Sequence, residues 1–98
     1  MNEQSRRIGE LDRVIHEPGR LMIMALLYAV ERADFLYLQH ETALNKGTLS
    51  SHLARLEEAG YVEIVKTYRG KVPQTLLALT GTGRQAFAEY RRKLKEAL

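Results

Sequence analysis

The sequence contains no cysteine and no apolar stretch of the length that a bilayer requires. Without cysteine the chain can form no disulfide, thiolate metal site or thiol redox switch, and this composition is typical of a reducing compartment. The longest apolar run, Leu21 to Val30, has ten residues, whereas a membrane-spanning helix needs about twenty. The charged N-terminal stretch also lacks the apolar segment of a signal peptide. We therefore expect a cytoplasmic protein without a membrane partner.

Signatures of catalysis are missing as well. A chain of 98 residues has room for one domain, which we take to span residues 1–98. Gly81-Thr82-Gly83 lacks the pattern of a phosphate-binding loop. On one helix, the side chains of Ser50, Ser51 and His52 diverge, so they cannot pair as nucleophile and base. We predict a protein that is not an enzyme and has no cofactor.

Three histidines, His16, His40 and His52, raise the question of metal sensing. Two of them precede a glutamate, but the sequence has no H-E-x-x-H spacing and no cysteine ligand. Nothing in the sequence brings the three imidazoles together. We interpret them as surface or capping residues and predict no metal site.

The net charge of +3 is small, but it is unevenly distributed. Residues 1–44 carry five basic and seven acidic side chains, whereas residues 45–98 carry ten basic and five acidic ones. A basic half of this kind is typical of a surface that binds nucleic acid. Part of the excess lies in one run near the end of a predicted helix: Arg91, Arg92, Lys93 and Lys95. Because cations there complement the helix macrodipole, we interpret that run as a solvated face.

The first two predicted helices are separated by a proline. Pro18 suits a first helical turn but breaks a helix interior, so it predicts a new start. The apolar run after it predicts a core helix to about Glu31. An earlier amphipathic helix is predicted over residues 8–16 from three apolar residues at helical spacing: Ile8, Leu11 and Ile15.

A short helix, a turn and a longer helix follow. Asp34 can cap a helix that runs to about Thr42, because its carboxylate accepts hydrogen bonds from free backbone amides. The next helix is predicted from about Lys46 to Ala59, with leucines along one side and Gly60 as a left-handed stop. Residues 34–59 therefore predict a helix-turn-helix, a geometry that presents its second helix to the major groove of DNA.

Beyond this point the apolar period changes from about 3.6 to about 2 residues, which indicates strands. Residues 61–79 are predicted to form a hairpin whose tip carries Arg69 and Lys71. Thr80 can cap a last helix over residues 81–98. We predict a mainly α fold with a small β-hairpin: a winged helix-turn-helix with additional N- and C-terminal helices.

The predicted helix after the turn has a small, polar face opposite its leucines. A step of about 100° per residue puts Gly47, Ser51 and Arg55 on that face, with Thr48 beside them. Small residues let a helix backbone approach base edges, and hydroxyl and guanidinium groups can bind bases or phosphates. An ordinary solvated helix is the alternative, which the two glutamates near its end would suit.

Residues 48–87 resemble winged-helix transcriptional regulators. The stretch TLSSHLARLEEAGYVEIVKTYRGKVPQTLLALTGTGRQAF is similar to the recognition helix, wing and following helix of the MarR and ArsR groups, especially their small single-domain members. A weaker match over residues 11–44 extends the resemblance to nearly the whole chain. The resemblance implies a dimeric DNA-binding regulator. The positions that match its DNA-binding segments are Lys46, Thr48, Ser50, Ser51, His52, Arg55, Arg69 and Lys71.

The wing departs from the family pattern. Wings of these regulators often read arginine-proline-arginine-threonine where this chain has Val72-Pro73-Gln74-Thr75, so two expected cations are missing. Arg69 and Lys71 would have to supply any contact between this wing and the minor groove.

Two apolar stripes lie on the predicted terminal helices. One consists of Ile8, Leu11 and Ile15, and the other of Phe87, Tyr90, Leu94 and Leu98. We expect them to form a two-fold interface, which would place two recognition helices about 34 Å apart for successive major grooves. Folding back onto the same subunit is the alternative.

These observations predict a homodimeric transcriptional regulator that binds a pseudo-palindromic operator in double-stranded DNA. One alternative is a winged helix that serves protein assembly without specific DNA binding. Another is a repressor that responds to a metal or small molecule, although the sequence identifies no pocket and no effector.

Overall fold

The computed structural model describes residues 1–98 as five helices and a three-stranded antiparallel sheet. The helices are α1 (Glu3–Gly9), α2 (Pro18–Tyr28), α3 (Phe35–Thr42), α4 (Lys46–Glu58) and α5 (Gly81–Ala97). The strands are β1 (Ala33–Asp34), β2 (Val62–Arg69) and β3 (Val72–Leu79), in the sheet order β1-β3-β2. This order of elements confirms the predicted fold class. None of the helices combines the length and apolar composition needed to cross a bilayer.

Local capping signals place the starts of four helices. As predicted, the side chain of Asp34 accepts a hydrogen bond of 2.7 Å in the first turn of α3, and Thr80 accepts one of 2.9 Å at the start of α5. The helix α2 begins at Pro18, also as predicted. Asn45 caps α4 with a bond of 2.8 Å to a backbone amide. Each cap satisfies a backbone donor that a helix start would leave free.

The junction between α4 and β2 is a tight reversal. Gly60 follows α4 with φ +81°, the left-handed conformation expected of it. Its amide donates to Glu57 O at 2.9 Å, and the amide of Tyr61 donates to Leu56 O at the same distance. These two bonds form a Schellman motif. Because β2 begins directly afterwards, no flexible linker separates α4 from the hairpin.

The hairpin turn has two residues. Arg69 pairs with Val72, so the turn consists of Gly70 and Lys71 alone, and Gly70 has φ +65°. Positive φ at the first turn residue only is typical of a type II′ turn, whose twist suits an antiparallel hairpin. Pro73 therefore lies inside β3, in the second residue pair from the turn. An antiparallel ladder needs no backbone amide donor at that position, so proline is tolerated there.

A third strand, β1, was not predicted. It has two residues and pairs with β3 at Leu76 and Leu77. Alternation cannot be recognised in so short a segment, because the pairing depends on a strand more than forty residues away. The strand β1 anchors the start of α3 to the sheet, and so fixes α3 relative to the hairpin.

One apolar cluster holds the domain together. It consists of fourteen buried side chains from α2 to α5, from β2 and β3, and from the segment before α2. They are Leu11, Ile15, Ile23, Met24, Leu27, Leu38, Leu49, Leu53, Leu56, Val62, Leu77, Leu79, Phe87 and Tyr90. The leucines of α4 thus point inward, as predicted, and the opposite face of α4 points outward.

The predicted helix over residues 8–16 is wrong. The helix α1 ends at Gly9, and the chain then turns at Asp12, whose carboxylate accepts bonds of 2.8 and 3.2 Å from the amides two and three residues on. An aspartate that binds its own backbone in this way favours a turn over a helix. Leu11 and Ile15 flank this turn and are buried in the core of their own chain.

The stripe on α5 is also largely covered by its own chain. Phe87 and Tyr90 belong to the core, and Leu94 is half-buried against it, because α5 packs on α2 and β3. The expectation that the two stripes form a two-fold interface is therefore wrong for four residues, which are buried in the core of their own chain: Leu11, Ile15, Phe87 and Tyr90. Ile8 is 37% exposed on α1, a helix that lies along α5 and has no buried residue.

Two phenols tie the segment before α2 to the rest of the domain. The hydroxyl of Tyr61 donates to the carboxylate of Asp12, and the hydroxyl of Tyr90 lies 2.7 Å from His16 Nδ1. Burial, the hydrogen bond to Asp12 and the charge of Asp12 raise the pKa of Tyr61 to about 12. Burial also raises the pKa of Tyr90. Both phenols therefore remain protonated at neutral pH.

Candidate nucleic-acid interface

A short, internally bonded turn joins α3 to α4. It runs from Ala43 to Asn45, and Ala43 has φ +58°, a conformation uncommon for a residue with a side chain. The hydroxyl of Thr42 accepts a hydrogen bond of 3.3 Å from the amide of Leu44 and donates one of 2.7 Å to Leu38 O. The turn is therefore bonded to the end of α3, which fixes the direction in which α4 leaves.

The outward face of α4 carries small and polar side chains. Its exposed members in the first turns are Lys46, Gly47, Ser50, Ser51, Ala54 and Arg55. Thr48, which was predicted beside this face, is half-buried. The small residues leave room for another molecule close to the helix backbone, while hydroxyl, ammonium and guanidinium groups are available to bind it.

His52, which the resemblance places among the DNA-binding positions, does not lie on the outward face of α4. Its side chain is 19% exposed, and its Nε2 lies 3.4 Å from a carboxylate oxygen of Glu17. Its Nδ1 lies 3.4 Å from a guanidinium nitrogen of Arg20. Glu17 is the cap of α2, and Arg20 lies in the first turn of that helix. His52 thus fastens α4 to the start of α2.

The hairpin tip carries two exposed cations, Arg69 and Lys71. Of the two positions that depart from the family pattern, Val72 is 66% exposed near the tip. Gln74 is half-buried, and its amide nitrogen donates to a carboxylate oxygen of Asp34 at 3.5 Å. Gln74, which stands where the family pattern has a cation, therefore faces the start of α3 and not the tip. Only at Val72 does the exposed end of the wing lack a cation that the family pattern has.

Basic side chains on α4 and the hairpin have no acidic partner. No carboxylate oxygen lies within 4.0 Å of a basic nitrogen in any of the five. They are Lys46, Arg55, Lys66, Arg69 and Lys71. Because no side chain of the same molecule neutralises them, these five charges give this surface its positive potential.

Ion pairs are more frequent on the terminal helices, where four of the seven lysine and arginine side chains are paired. On α1 and α5 the cations Arg6, Arg7, Arg92 and Lys93 each pair with a glutamate three or four residues away on the same helix. Hydrogen bonds from arginines hold the pKa values of Glu3 and Glu89 below their ordinary value. Arg91, Arg92 and Lys95 are exposed and Lys93 is half-buried, so the interpretation of this run as a solvated face is confirmed for the first three.

A groove of about 560 Å³ separates α4 from the base of the hairpin. Its lining comes from α3, α4 and the three strands: Asp34, Phe35, Leu36, Gln39, Lys46, Ser50, Leu53, Ile64, Lys66, Pro73, Gln74 and Thr75. Lys66 was not predicted as a site residue. The sequence contained a signal for it. Residues two apart in a strand lie on the same face, so Lys66 shares the face of Val62 and Ile64, which point inward.

The three histidines have separate partners. His16 contacts Tyr90, His40 Nδ1 lies 3.3 Å from a carboxylate oxygen of Glu41, and His52 contacts α2. No group of three or more histidine, aspartate and glutamate side chains is arranged to hold a metal ion.

Residues 20–98 match the winged helix DNA-binding domain family. The chain belongs to this family. The resemblance noted in the sequence is thereby confirmed, and α4 and the β2–β3 hairpin are the recognition helix and the wing of a winged helix domain.

This winged helix domain is similar to proteins of known sequence and structure. It is 39% identical to MJ0432, an uncharacterised protein of Methanocaldococcus jannaschii, over 79 residues that cover 80% of this chain and 85% of that protein. It is 28% identical to a transcriptional regulator homologue from Pyrococcus horikoshii OT3, with a TM-score of 0.87 over 97% of this chain and 93% of that one. It shares the fold of a MarR-family regulator from Silicibacter pomeroyi at 17% identity, with a TM-score of 0.69 over 96% of this chain and 62% of that one.

Family and structural similarity together make the winged helix domain a DNA-binding regulator. Of the ten lysine and arginine side chains that form no ion pair, five lie on the recognition helix and wing.

Proposed function

We propose that the chain acts as a homodimeric transcriptional regulator that binds a double-stranded operator of approximate two-fold symmetry. The observation that carries this proposal is that all five cations on α4 and the wing are unpaired, whereas four of the seven cations on the terminal helices form ion pairs. Double-stranded DNA carries one negative charge per about 1.7 Å of helix axis. A surface with unneutralised cations gains most from such a partner.

The outward face of α4 supports sequence-specific binding. Ser50 and Ser51 offer hydroxyl groups near the start of the helix, and Arg55 offers a guanidinium group one turn further on. Hydroxyl groups bind bases or phosphates, and arginine binds guanine in a bidentate way. We assign base contacts to Ser51 and Arg55, and phosphate contacts to Lys46, Arg69 and Lys71.

The N-terminal helix supports a dimer. The helix α1 has seven residues and none of them is buried, whereas isolated helices shorter than about 12–15 residues are marginal in water. A second copy that packed against α1 and the outer side of α5 would cover Ile8 and Leu98, which are exposed, and the edge of Leu94. Phe87 and Tyr90 would then support this interface from beneath.

Duplex binding at increasing salt concentration tests the proposal. We expect a steep fall in affinity, because each phosphate contact contributes about −0.9 to the slope of log Kobs against log salt. Replacing Arg69 and Lys71 by alanine lowers the magnitude of the slope, whereas replacing Arg13, which is exposed in the segment before α2, leaves it unchanged. Absence of duplex binding at low ionic strength contradicts the proposal and favours a protein-assembly module.

A further inference from the structure

The groove between α4 and the wing joins two elements that the proposed function assigns to DNA. Lys46 comes from the first turn of α4 and Lys66 from the middle of β2, and both line the groove. Leu53 and Ile64 form part of its apolar floor. The groove therefore brings two ammonium groups from different elements together beside the outward face of α4.

The two lysines of this groove are not neutralised by acidic residues of its lining. Asp34 is the one acidic residue in the lining, and its carboxylate already accepts hydrogen bonds from the amide of Tyr37 at 2.7 Å and from Gln74 at 3.5 Å. Lys46 and Lys66 form no ion pair. An anion that enters the groove meets two unneutralised cations, and such a site favours a negative ligand.

We infer that this groove holds a backbone phosphate of the bound DNA, and that Lys66 contacts it together with Lys46. This inference rests on the proposed function and adds to it a contact that no sequence motif indicated. The groove is open and several times larger than one phosphate, so a free phosphate would not fill it. A DNA strand that lies along α4 would bring its phosphates to this opening, where the hydroxyl of Ser50 can also donate to them.

A phosphate contact at Lys66 affects affinity more than sequence preference, because phosphates carry no base information. Removal of one such contact reduces the magnitude of the salt slope by about 0.9. If affinities at 1 M salt are equal, this difference corresponds to an affinity loss of about eightfold at 0.1 M salt.

Fluorescence anisotropy with an operator duplex over a range of salt concentrations tests this inference in Lys66→Ala, Lys66→Arg and Lys95→Ala. Lys95 is the matched control, since it is exposed on α5, carries the same charge and forms no ion pair. Only Lys66→Ala is expected to show the smaller slope, with its base preference unchanged. Lys66→Arg keeps the charge and is expected to keep the slope, so it separates loss of charge from loss of side-chain packing.

The possible failures are distinguishable. If the wild-type chain does not bind duplex DNA, the proposed function itself is contradicted. If it binds and Lys66→Ala keeps the wild-type slope, or Lys95→Ala loses as much slope as Lys66→Ala, only the inference about the groove is overturned. Calorimetric titration with inorganic phosphate supplies a further arm: saturable binding that Lys66→Ala abolishes while DNA binding persists would make this a free-anion site and overturn the assignment to DNA.

Discussion

Single residues on α4 and the wing differ in what they can recognise. Ser51 lies on the outward face of α4 and Lys71 at the tip of the wing, so we expect the first to contact bases and the second phosphates. Ser51→Ala should change the preferred operator sequence at one position, by about 1 kcal/mol for a lost hydrogen bond. Lys71→Ala should weaken binding to all sequences alike. Selection of binding sites with each variant measures both effects, and an unchanged motif for Ser51→Ala contradicts the assignment.

The hydrogen bond from Tyr61 to Asp12 predicts a pH dependence of stability. Burial and Asp12 raise the pKa of Tyr61 from its ordinary 10 to about 12, so folding favours the protonated phenol. Its contribution to the free energy of unfolding is therefore complete below pH 10 and is lost as the pH rises from 10 to about 12.

Urea unfolding of the wild-type chain and of Tyr61→Phe, followed by circular dichroism, measures this contribution. The wild-type chain should lose more stability than the variant over that alkaline range, although the variant is less stable at neutral pH. An equal loss in both proteins contradicts a role for Tyr61.

Residue roles were predictable where the local pattern determined exposure. The leucine spacing in α4 identified Ser51 and Arg55 as outward, because a helix face follows from the sequence alone. His52 was misplaced, since its orientation depends on Glu17 and Arg20 of another helix. Lys66 was missed because the groove that it lines forms only when α3, α4 and the three strands come together.

At the scale of elements, the close approach of α5 to the end of α4 depends on a glycine. A Cβ atom at Gly83 would lie 2.1 Å from the backbone oxygen of Tyr61. At Gly81, in the same first turn, a Cβ atom would meet no other atom within 4 Å. These two glycines therefore form a matched pair.

Gly83→Ala should lower the free energy of unfolding by about 1–3 kcal/mol, because α5 must shift away from Tyr61 to relieve the overlap. Gly81→Ala should be neutral, or should raise it by up to about 1 kcal/mol through the reduced freedom of the unfolded chain. Urea unfolding of both variants measures the difference. Equal stabilities would contradict this description of the α5 packing.

Elements with strong local signals were predicted well, and elements defined by distant contacts were not. The helices α2 to α5 begin at Pro18 or at capping residues that bond within a few positions, so the sequence contains the information. The strand β1 depends on pairing with Leu76 and Leu77, far along the chain. The chain turns at Asp12 although its apolar neighbours have helical spacing. Their spacing reflects burial in the core of the same chain and not a helix face.

For the whole molecule, the proposed dimer predicts a specific sensitivity of α1. Ile8 on α1 is 37% exposed and Met22 on α2 is 39% exposed, so they are similar apolar surface positions on different helices. Ile8→Arg should yield a monomer and weaken operator binding by about tenfold or more. In a monomer, binding of one recognition helix to its half-site no longer raises the effective concentration of a second one at the other half-site. Met22→Arg should leave the dimer intact. Ile8 is a cleaner probe than Leu94, which is half-buried against the core.

Light scattering reports the mass of both variants, and circular dichroism verifies that they are folded. A wild-type chain that is monomeric at micromolar concentration contradicts the dimer, as does an Ile8→Arg variant that dimerises normally.

At this scale, the uneven charge of the sequence indicated a surface that binds nucleic acid. The basic half contains the five unpaired cations of α4 and the wing, and also the paired cations of α5. Composition could not separate the two groups, because pairing depends on which carboxylates the helices bring within reach. The expectation of uncovered terminal stripes failed for a related reason, since periodicity alone does not say which surface covers a stripe.

The central claim is that a dimer reads a symmetric operator through two copies of α4. Selection of bound sequences from a random pool of duplex DNA by the purified wild-type chain tests it most directly. The predicted result is a palindromic motif whose half-sites are centred about 34 Å apart, one turn of the double helix. Recovery of no motif, or of a single half-site without symmetry, would contradict the account.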